Sequence, residues 1–290
     1  MKSRIPKVAI LGSSGFVGSN LHNLLFKTYD TYGFSSKECD LLESDSVNKK
    51  LSFLDKNDIL IVCSSITRLY ENSLNSMNKN IKMVENLANF ISKNKIRQLI
   101  FLSTIDVYGI SIDGKCNENS ALNPTDYYAT SKVASEFILK QVCKENEINL
   151  FIPRLSGTFG SGDKNKSTIY SLVSNAIQTK KIVLYNKGED YRDFVDVSYV
   201  SNIIENAIKK DYSGILNIAT GDSFQIKEIA VLIKDILNNN AQIIYRDSSS
   251  ESRAKHIEFD IKNLIESHLS GNKLLLQEYL RQYIMEYNGN

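Results

Sequence analysis

The run Val8-Ala9-Ile10-Leu11-Gly12-Ser13-Ser14-Gly15-Phe16-Val17-Gly18 decides how this chain is read. An apolar stretch meets three glycines at G-x-x-G-x-x-G spacing, and Leu21, Leu24 and Leu25 then recur at helical intervals. The pattern is a strand, a tight turn and a helix N-terminus. The open N–H groups and positive dipole end of such a helix bind a pyrophosphate. Glycine serves there because a Cβ would block the turn or the approach of the phosphate. In a chain with 14 glycines a similar spacing also arises in a plain turn. The position between a strand-like and a helix-like run favours a dinucleotide site.

Outward from that turn the pattern alternates. Strand-like runs fall at Lys7–Leu11, Thr31–Phe34, Asp58–Cys63, Gln98–Leu102, Leu150–Ile152 and Ile215–Ile218. Helix-like runs lie near Phe16–Phe26, Leu74–Ile91, Asp126–Lys144 and Val197–Lys209. This predicts an α/β protein, a Rossmann-like doubly wound parallel sheet with helices on both faces. The strands are near-continuous Ile/Val/Leu runs, as covered faces require. The stretch between the second strand and Asp58 is short and leaves a third strand there open. After Arg154 the rhythm loosens: a glycine-rich turn (Gly157 to Gly162), helices near Ser167–Gln178, Gln225–Leu237 and Lys273–Tyr287, a strand near Lys181–Leu184, and polar loops at Asn238–Asn240 and Ser248–Ser252. Residues 1–155 are read as the dinucleotide-binding domain, completed by about 190–222. Residues 156–290 are read as a smaller, interleaved C-terminal substrate-binding region.

Composition narrows the partners. A chain of 290 residues with 42% hydrophobic and 23% charged residues can bury a full core. Its net charge of +2 argues for neither nucleic acid nor a membrane surface. No window is apolar enough for a transmembrane helix. Met1-Lys2-Ser3-Arg4 runs straight into a strand with no signal peptide, so a cytoplasmic protein is expected. Cys39, Cys63, Cys116 and Cys143 are scattered, and His22, His256 and His268 are isolated, so free thiols and no metal site are expected.

Two stretches carry chemistry. Tyr128-Ala129-Thr130-Ser131-Lys132 places a phenol and an ammonium one helical turn apart. A neighbouring ammonium favours phenolate, which makes the tyrosine a usable proton donor or acceptor. Such a pair also arises by chance on a solvated helix face. Gln98–Leu102 is an apolar strand ending in Ser103 and Thr104, followed by Ile105-Asp106-Val107-Tyr108-Gly109. Ligands of open α/β sheets bind at the carboxyl ends of strands, so both hydroxyls are expected in the cofactor crevice. A hydroxyl at that place also caps the strand-end turn.

Taken in order, Gly12/Gly15/Gly18, Ser103-Thr104 with Val107-Tyr108-Gly109, Tyr128/Lys132 and Tyr191-Arg192-Asp193-Phe194-Val195 resemble the extended short-chain dehydrogenase/reductases of the NAD-dependent epimerase/dehydratase family, which act on nucleotide sugars. The likeness covers nearly the whole chain. It implies a catalytic set of Thr104, Tyr128 and Lys132, with Tyr128 as general acid/base and Lys132 on the nicotinamide ribose. It implies cofactor contacts from Gly12, Ser14, Gly15, Phe16, Val17, Gly18, Ser103, Tyr128 and Lys132, and from Asp40 and Leu41 at the adenine. Arg192 is implied as the diphosphate ligand, where a guanidinium fork suits phosphate oxygens. Thr104, Asp106, Tyr128 and Arg192 make the expected substrate set. Arg253 aligns loosely as a second such arginine, and Asn80 resembles a family asparagine of mainly structural role. The family pairs two helices with their copies, so a homodimer is implied through Leu74–Ile91 and Asp126–Lys144, using Met83, Leu87, Phe90, Phe137 and Ile138.

Three departures select within the family. An NAD site places Asp or Glu after the second strand. This strand ends Gly33-Phe34-Ser35-Ser36-Lys37, where hydroxyls and a cation suit a 2′-phosphate, so Ser36 and Lys37 favour NADP (as NADPH), with NAD the alternative. Ile105 stands where dehydratases of the family carry an acid or a hydroxyl, which weakens dehydration; Asp106 stands at the neighbouring carboxylate position. No histidine lies between His22 and His256, which disfavours a Cys/His epimerase-reductase. The resulting reading is an NADPH-dependent reductase of a nucleotide-linked 4-keto-6-deoxysugar, in surface-polysaccharide sugar biosynthesis. A 4-epimerase with tightly held NAD is the alternative, and a non-catalytic NADP-binding regulator is a third reading.

Overall fold

Ile59-Leu60-Ile61-Val62 and Gln98-Leu99-Ile100-Phe101 are buried along their whole length, as strands covered on both faces must be. They belong to a computed structural model that describes residues 4–109, 115–164, 167–238, 240–247, 258–271 and 273–289. In chain order the first elements are β1 (Lys7–Leu11), α1 (Phe16–Leu25), β2 (Asp30–Phe34), α2 (Ser44–Leu51), β3 (Ile59–Val62) and α3 (Leu74–Lys93). Next come β4 (Gln98–Phe101), the short β5 (Ser103–Thr104), a 3-10 turn (Ile105–Tyr108), β6 (Lys115–Cys116), α4 (Tyr127–Glu145) and β7 (Asn149–Leu155). Then follow β8 (Gly157–Phe159), α5 (Thr168–Gln178), β9 (Lys181–Tyr185), β10 (Tyr191–Asp196), α6 (Val197–Lys209) and β11 (Gly214–Ile218). The chain ends with β12 (Ser223–Gln225), α7 (Ile226–Leu237), β13 (Gln242–Arg246), β14 (Glu258–Phe259), α8 (Lys262–Glu266) and α9 (Leu276–Gly289).

The chain divides into two compact units. The first takes Met1–Gly109, Ala121–Arg154 and Ser201–Leu216; the second takes Ile110–Ser120, Leu155–Val200 and Asn217–Asn290. The sheet of the first unit has the order β11-β7-β4-β3-β1-β2, with β5 added beside β7. Its β2–β1, β1–β3, β3–β4 and β4–β7 pairs are all parallel. From β1 the chain moves outward to β2 and then crosses to β3 on the other side. The glycine turn therefore sits at a topological switch point, where open α/β sheets bind ligands. No strand lies between Phe34 and Ile59; α2 fills that stretch, and β2 is the edge of the sheet.

α1 buries Leu21 and Leu25 and α2 buries Val47 and Leu51, each an apolar stripe at helical spacing. α3 starts at a Ser73/Ser76 capping box and packs along α4. Leu87 and Phe90 of α3 lie in the core beneath the sheet, and Met83 and Ile138 pack against it. Of the five apolar positions expected to form a dimer contact, only Phe137 stands well exposed, at 64%. The amphipathic pattern of α3 is thus satisfied within this chain.

In the second unit β8 and β12 flank β10, and β13 pairs with β9. Asp193 of β10 is buried and accepts hydrogen bonds from Thr220 N and Oγ1, Gly221 N and Ser156 Oγ. Burial pushes its carboxyl up, and those four donors oppose the shift. Here the loosened pattern hides strands: the expected Gly157 to Gly162 turn holds β8, and Tyr191–Asp196 is β10. Arg253 and the Ser248–Ser252 stretch lie outside the described residues.

A buried charge network ties the first unit together. Arg154 on β7 is 1% exposed. Its Nε and Nη2 donate to Glu136 of α4 at 3.0 and 2.7 Å, and its Nη1 donates to the Tyr108 hydroxyl at 2.7 Å. Ser103 Oγ completes the carboxylate at 2.6 Å. One ion pair thus joins β7, α4, β5 and the 3-10 turn.

Two stability predictions follow from this packing. A Cβ on Gly18 would stand 2.1 Å from the Gly12 carbonyl oxygen, a backbone atom that cannot swing aside. Gly18→Ala is expected to cost about 1–3 kcal/mol, the range for overpacking, read as a lowered thermal midpoint. An unchanged midpoint would refute the close approach. Glu136→Gln strands a buried guanidinium and is expected to cost about 3–5 kcal/mol in urea unfolding. The double change Glu136→Gln with Arg154→Met removes both charges and is expected to recover part of that loss, which a double-mutant cycle measures.

Candidate active site

β1 ends at Leu11, and the chain turns at Gly12 with φ of +83°, a conformation that L side chains rarely adopt. Gly15 N donates to Gly12 O at 3.0 Å, and Gly12 N donates to Phe34 O at 2.8 Å. α1 then begins with Gly15 as N-cap and no side-chain cap on its first N–H groups. Ser14 and Gly15 are exposed, while Phe16 and Val17 are half-buried. The first turn of the helix therefore opens to solvent with its donors uncapped, and the bare glycines leave a cradle beside it. Uncapped donors and the helix dipole suit a pyrophosphate, so these residues fit the phosphates of a dinucleotide.

Beyond β2, Ser36 and Lys37 are exposed. Sequence reading missed Glu38. Its Oε2 accepts from Ser35 N at 2.8 Å and from Ser35 Oγ at 2.7 Å, so a carboxylate does stand just past the second strand. These bonds hold the Glu38 carboxyl below its usual range. Asp40 is exposed and accepts from Leu42 N, whereas Leu41 is buried and lines a narrow pocket with Ser64, Asn80, Phe101, Lys132 and Ser135. Asn80 is a tie. It accepts from Ile66 N at 2.8 Å and donates to Ile66 O at 3.0 Å and Ser131 Oγ at 3.2 Å, joining the loop after β3 to α4.

α4 is capped by Asp126, which accepts from Ala129 N at 2.7 Å. Lys132 is buried and donates to Leu102 O at 2.7 Å, at the carboxyl end of β4. Its ammonium lies 5.8 Å from the centre of the Tyr128 ring and 4.6 Å from that of Phe101. An ammonium has three donors, so donors remain beyond the one on Leu102 and fit the hydroxyls of a ribose. Burial lowers the Lys132 ammonium to about 8, and Cys63 and Glu136 oppose that shift.

Two expectations change here. Ser103 does not face a crevice with Thr104. Successive strand residues point to opposite faces, and the Ser103 hydroxyl turns inward onto Glu136. The Tyr128 phenol is not lowered in the chain alone. Burial pushes it above its ordinary range, Asp106 adds to that, Arg68 opposes it, and Asp126 adds again.

Thr104 Oγ1 donates to Asp106 Oδ2 at 3.0 Å and accepts from Asp106 N at 3.2 Å, so it also caps the 3-10 turn. Asp106 Oδ2 receives Arg68 Nη1 at 2.7 Å. No sequence pattern pointed to Arg68, a loop arginine far along the chain from its partner. Glu136 did leave a trace: an acid one turn after Lys132 in an apolar helix stretch, with Arg154 inside an apolar strand. In the second unit, Arg192 lies on β10, half-buried, 3.6 Å from Asp190 and donating to Tyr191 O at 3.2 Å.

The first unit thus carries a buried lysine, a half-buried tyrosine and a threonine near the ends of β4 and β5, in the same unit as the glycine turn. The chain is 26% identical over 276 residues to a dTDP-D-glucose 4,6-dehydratase of Dictyostelium discoideum, covering 81% of this chain and 62% of that longer relative. A UDP-N-acetylglucosamine 4-epimerase from Methanobrevibacter ruminantium, solved with UDP-N-acetylmuramic acid, superposes with a TM-score of 0.86 at 22% identity, covering 99% of both chains. RMD from Pseudomonas aeruginosa, solved with NADPH, superposes at 0.85 with 20% identity over 98% of this chain and 99% of that one. Residues 8–219 match the NAD dependent epimerase/dehydratase family, and the chain belongs to that family.

Proposed function

We propose that the chain is an NADPH-dependent reductase of a nucleotide-linked 4-keto-6-deoxysugar. The observation that carries this reading is the gathering of Thr104, Tyr128 and Lys132 around the ends of β4 and β5. A nicotinamide held beside Lys132 would supply the hydride for reduction of the ketone. Tyr128 gives its proton to the sugar oxygen, and Thr104 orients that oxygen once its hydroxyl turns from Asp106. Lys132 binds the ribose hydroxyls and brings positive charge near the phenol. Arg192 binds the diphosphate of the sugar nucleotide. Ile105 has no proton to give and Asp106 is engaged by Arg68 and Thr104, which supports reduction over dehydration. The exposed Ser36 and Lys37 support NADPH.

A nucleotide-sugar 4-epimerase that keeps its NAD is the second reading, and Glu38 favours it. A carboxylate past the second strand serves a ribose 2′-hydroxyl and repels a 2′-phosphate. A homodimer through α3 and α4, implied by the family, has Phe137 as its exposed apolar anchor.

A panel of nucleotide 4-keto-sugars with NADPH, followed at the nicotinamide absorbance, tests the first reading. Tyr128→Phe is expected to keep NADPH binding and to lose roughly 10²–10⁴-fold in turnover. A near-normal rate would remove Tyr128 from the chemistry. Lys37→Asp is expected to weaken NADPH by about one to two decades, from the loss of one charge-assisted bond, and to spare NADH. Wild-type preference for NADH, or equal loss of both cofactors, would favour the epimerase.

A further inference from the structure

Arg68 stands on the loop between β3 and α3, outside every motif in the sequence. That loop is pinned at two points. Asn80 grips both polar backbone groups of Ile66, and Asn72 Oδ1 accepts from Tyr128 N at 3.3 Å. Between those points the Arg68 guanidinium lies 2.7 Å from Asp106 Oδ2 and 3.7 Å from Asp126 Oδ2. Asp106 holds the Thr104 hydroxyl, and Asp126 caps the helix whose second residue is Tyr128. One cation thus bridges the two acids that flank the threonine and the tyrosine.

We propose that Arg68 is a positioning residue of the proton-transfer site, which holds Asp106 in place beside Thr104 and sets a cation against the carboxylates beside Tyr128. The inference rests on the reading of Tyr128 as the general acid/base. Three charged groups act on the phenol: Asp106 from the 3-10 turn, Arg68 from the loop and Asp126 from the start of α4; the Lys132 ammonium lies 5.8 Å from the ring centre. The carboxylates disfavour phenolate and the cations favour it. Without Arg68, the two acids would lose the cation that faces them. Arg68 pairs with the same Asp106 oxygen that takes the Thr104 hydroxyl, so that oxygen keeps a partner when the threonine turns to the sugar. The residue has no reacting atom of its own; it acts through Thr104, Asp106 and Tyr128.

The experiment titrates the phenol directly, without substrate or cofactor. Difluorotyrosine, whose phenol is intrinsically more acidic, replaces Tyr128 in the full chain, and fluorine NMR reads its midpoint. Arg68→Met is expected to raise the midpoint by about one pH unit, the low end for a neighbouring charge. Asp106→Asn is expected to lower it by a similar amount, and the double variant to fall between the two. Arg68→Lys keeps the charge and is expected to stay near the wild type. Opposite signs from two partners in one ion pair are not what loss of structure produces. Shifts of the same sign, no shift, or an Arg68→Lys midpoint that moves as far as that of Arg68→Met would overturn the proposal. Turnover of the nucleotide-sugar panel by the unmodified chain is measured separately. A chain that turns over nothing while its midpoints move as expected would defeat the functional reading and leave the Arg68 assignment standing.

Discussion

The buried pair between Arg154 and Glu136 is the constraint on which the site depends. Taking both charges out of water is costly, and only good geometry with full hydrogen bonding offsets it. Here the carboxylate takes two bonds from the guanidinium and one from Ser103, and the guanidinium spends another on Tyr108. Each of those four residues sits on a different element. The pair therefore fixes the height of α4 against the ends of β5 and β7. That height sets where Lys132 meets the Leu102 carbonyl and where Tyr128 stands above it. A purely apolar contact would slide with little change in energy; a charge network with directional bonds does not.

The same economy governs the glycine turn. Gly18 packs against the Gly12 carbonyl, so helix and turn approach at backbone distance. This keeps the uncapped N–H groups of α1 beside the switch point between β1 and β3. The two halves of the site use opposite means. The glycine turn is shaped by absent side chains, and the cluster of Thr104, Asp106 and Arg68 by side chains that restrain one another.

Most of the sheet was legible because its strands are unbroken apolar runs. β1 and α6 fall on the residues expected, and β4 differs by one. The edge strand β2 was legible from its position, although its residues are only half-buried. Elements of the second unit were harder. β8 is short, and β10 reads as a motif because Arg192 and Asp193 interrupt its apolar pattern. In the site, the glycines, Thr104, Tyr128 and Lys132 announce themselves by spacing. Glu38 and Arg68 do not, since their meaning comes from partners brought close by folding. Ser103 was misplaced for a local reason: two adjacent hydroxyls look alike in sequence, yet the pleat sends one inward.

The interleaving of the two units bears on how the chain is made. β11, which borders β7 at the end of the sheet, spans Gly214–Ile218, late in the sequence. During synthesis from the N-terminus, the Rossmann strands emerge and pair long before their last neighbour exists. Until then β7 carries an open row of backbone donors and acceptors, a template for pairing with other nascent chains. Neither unit corresponds to a continuous segment, so a gene cut near residue 155 would yield a fragment with that edge still unpaired. The nascent protein commits late, and the last strand to arrive closes the sheet that the first strand began.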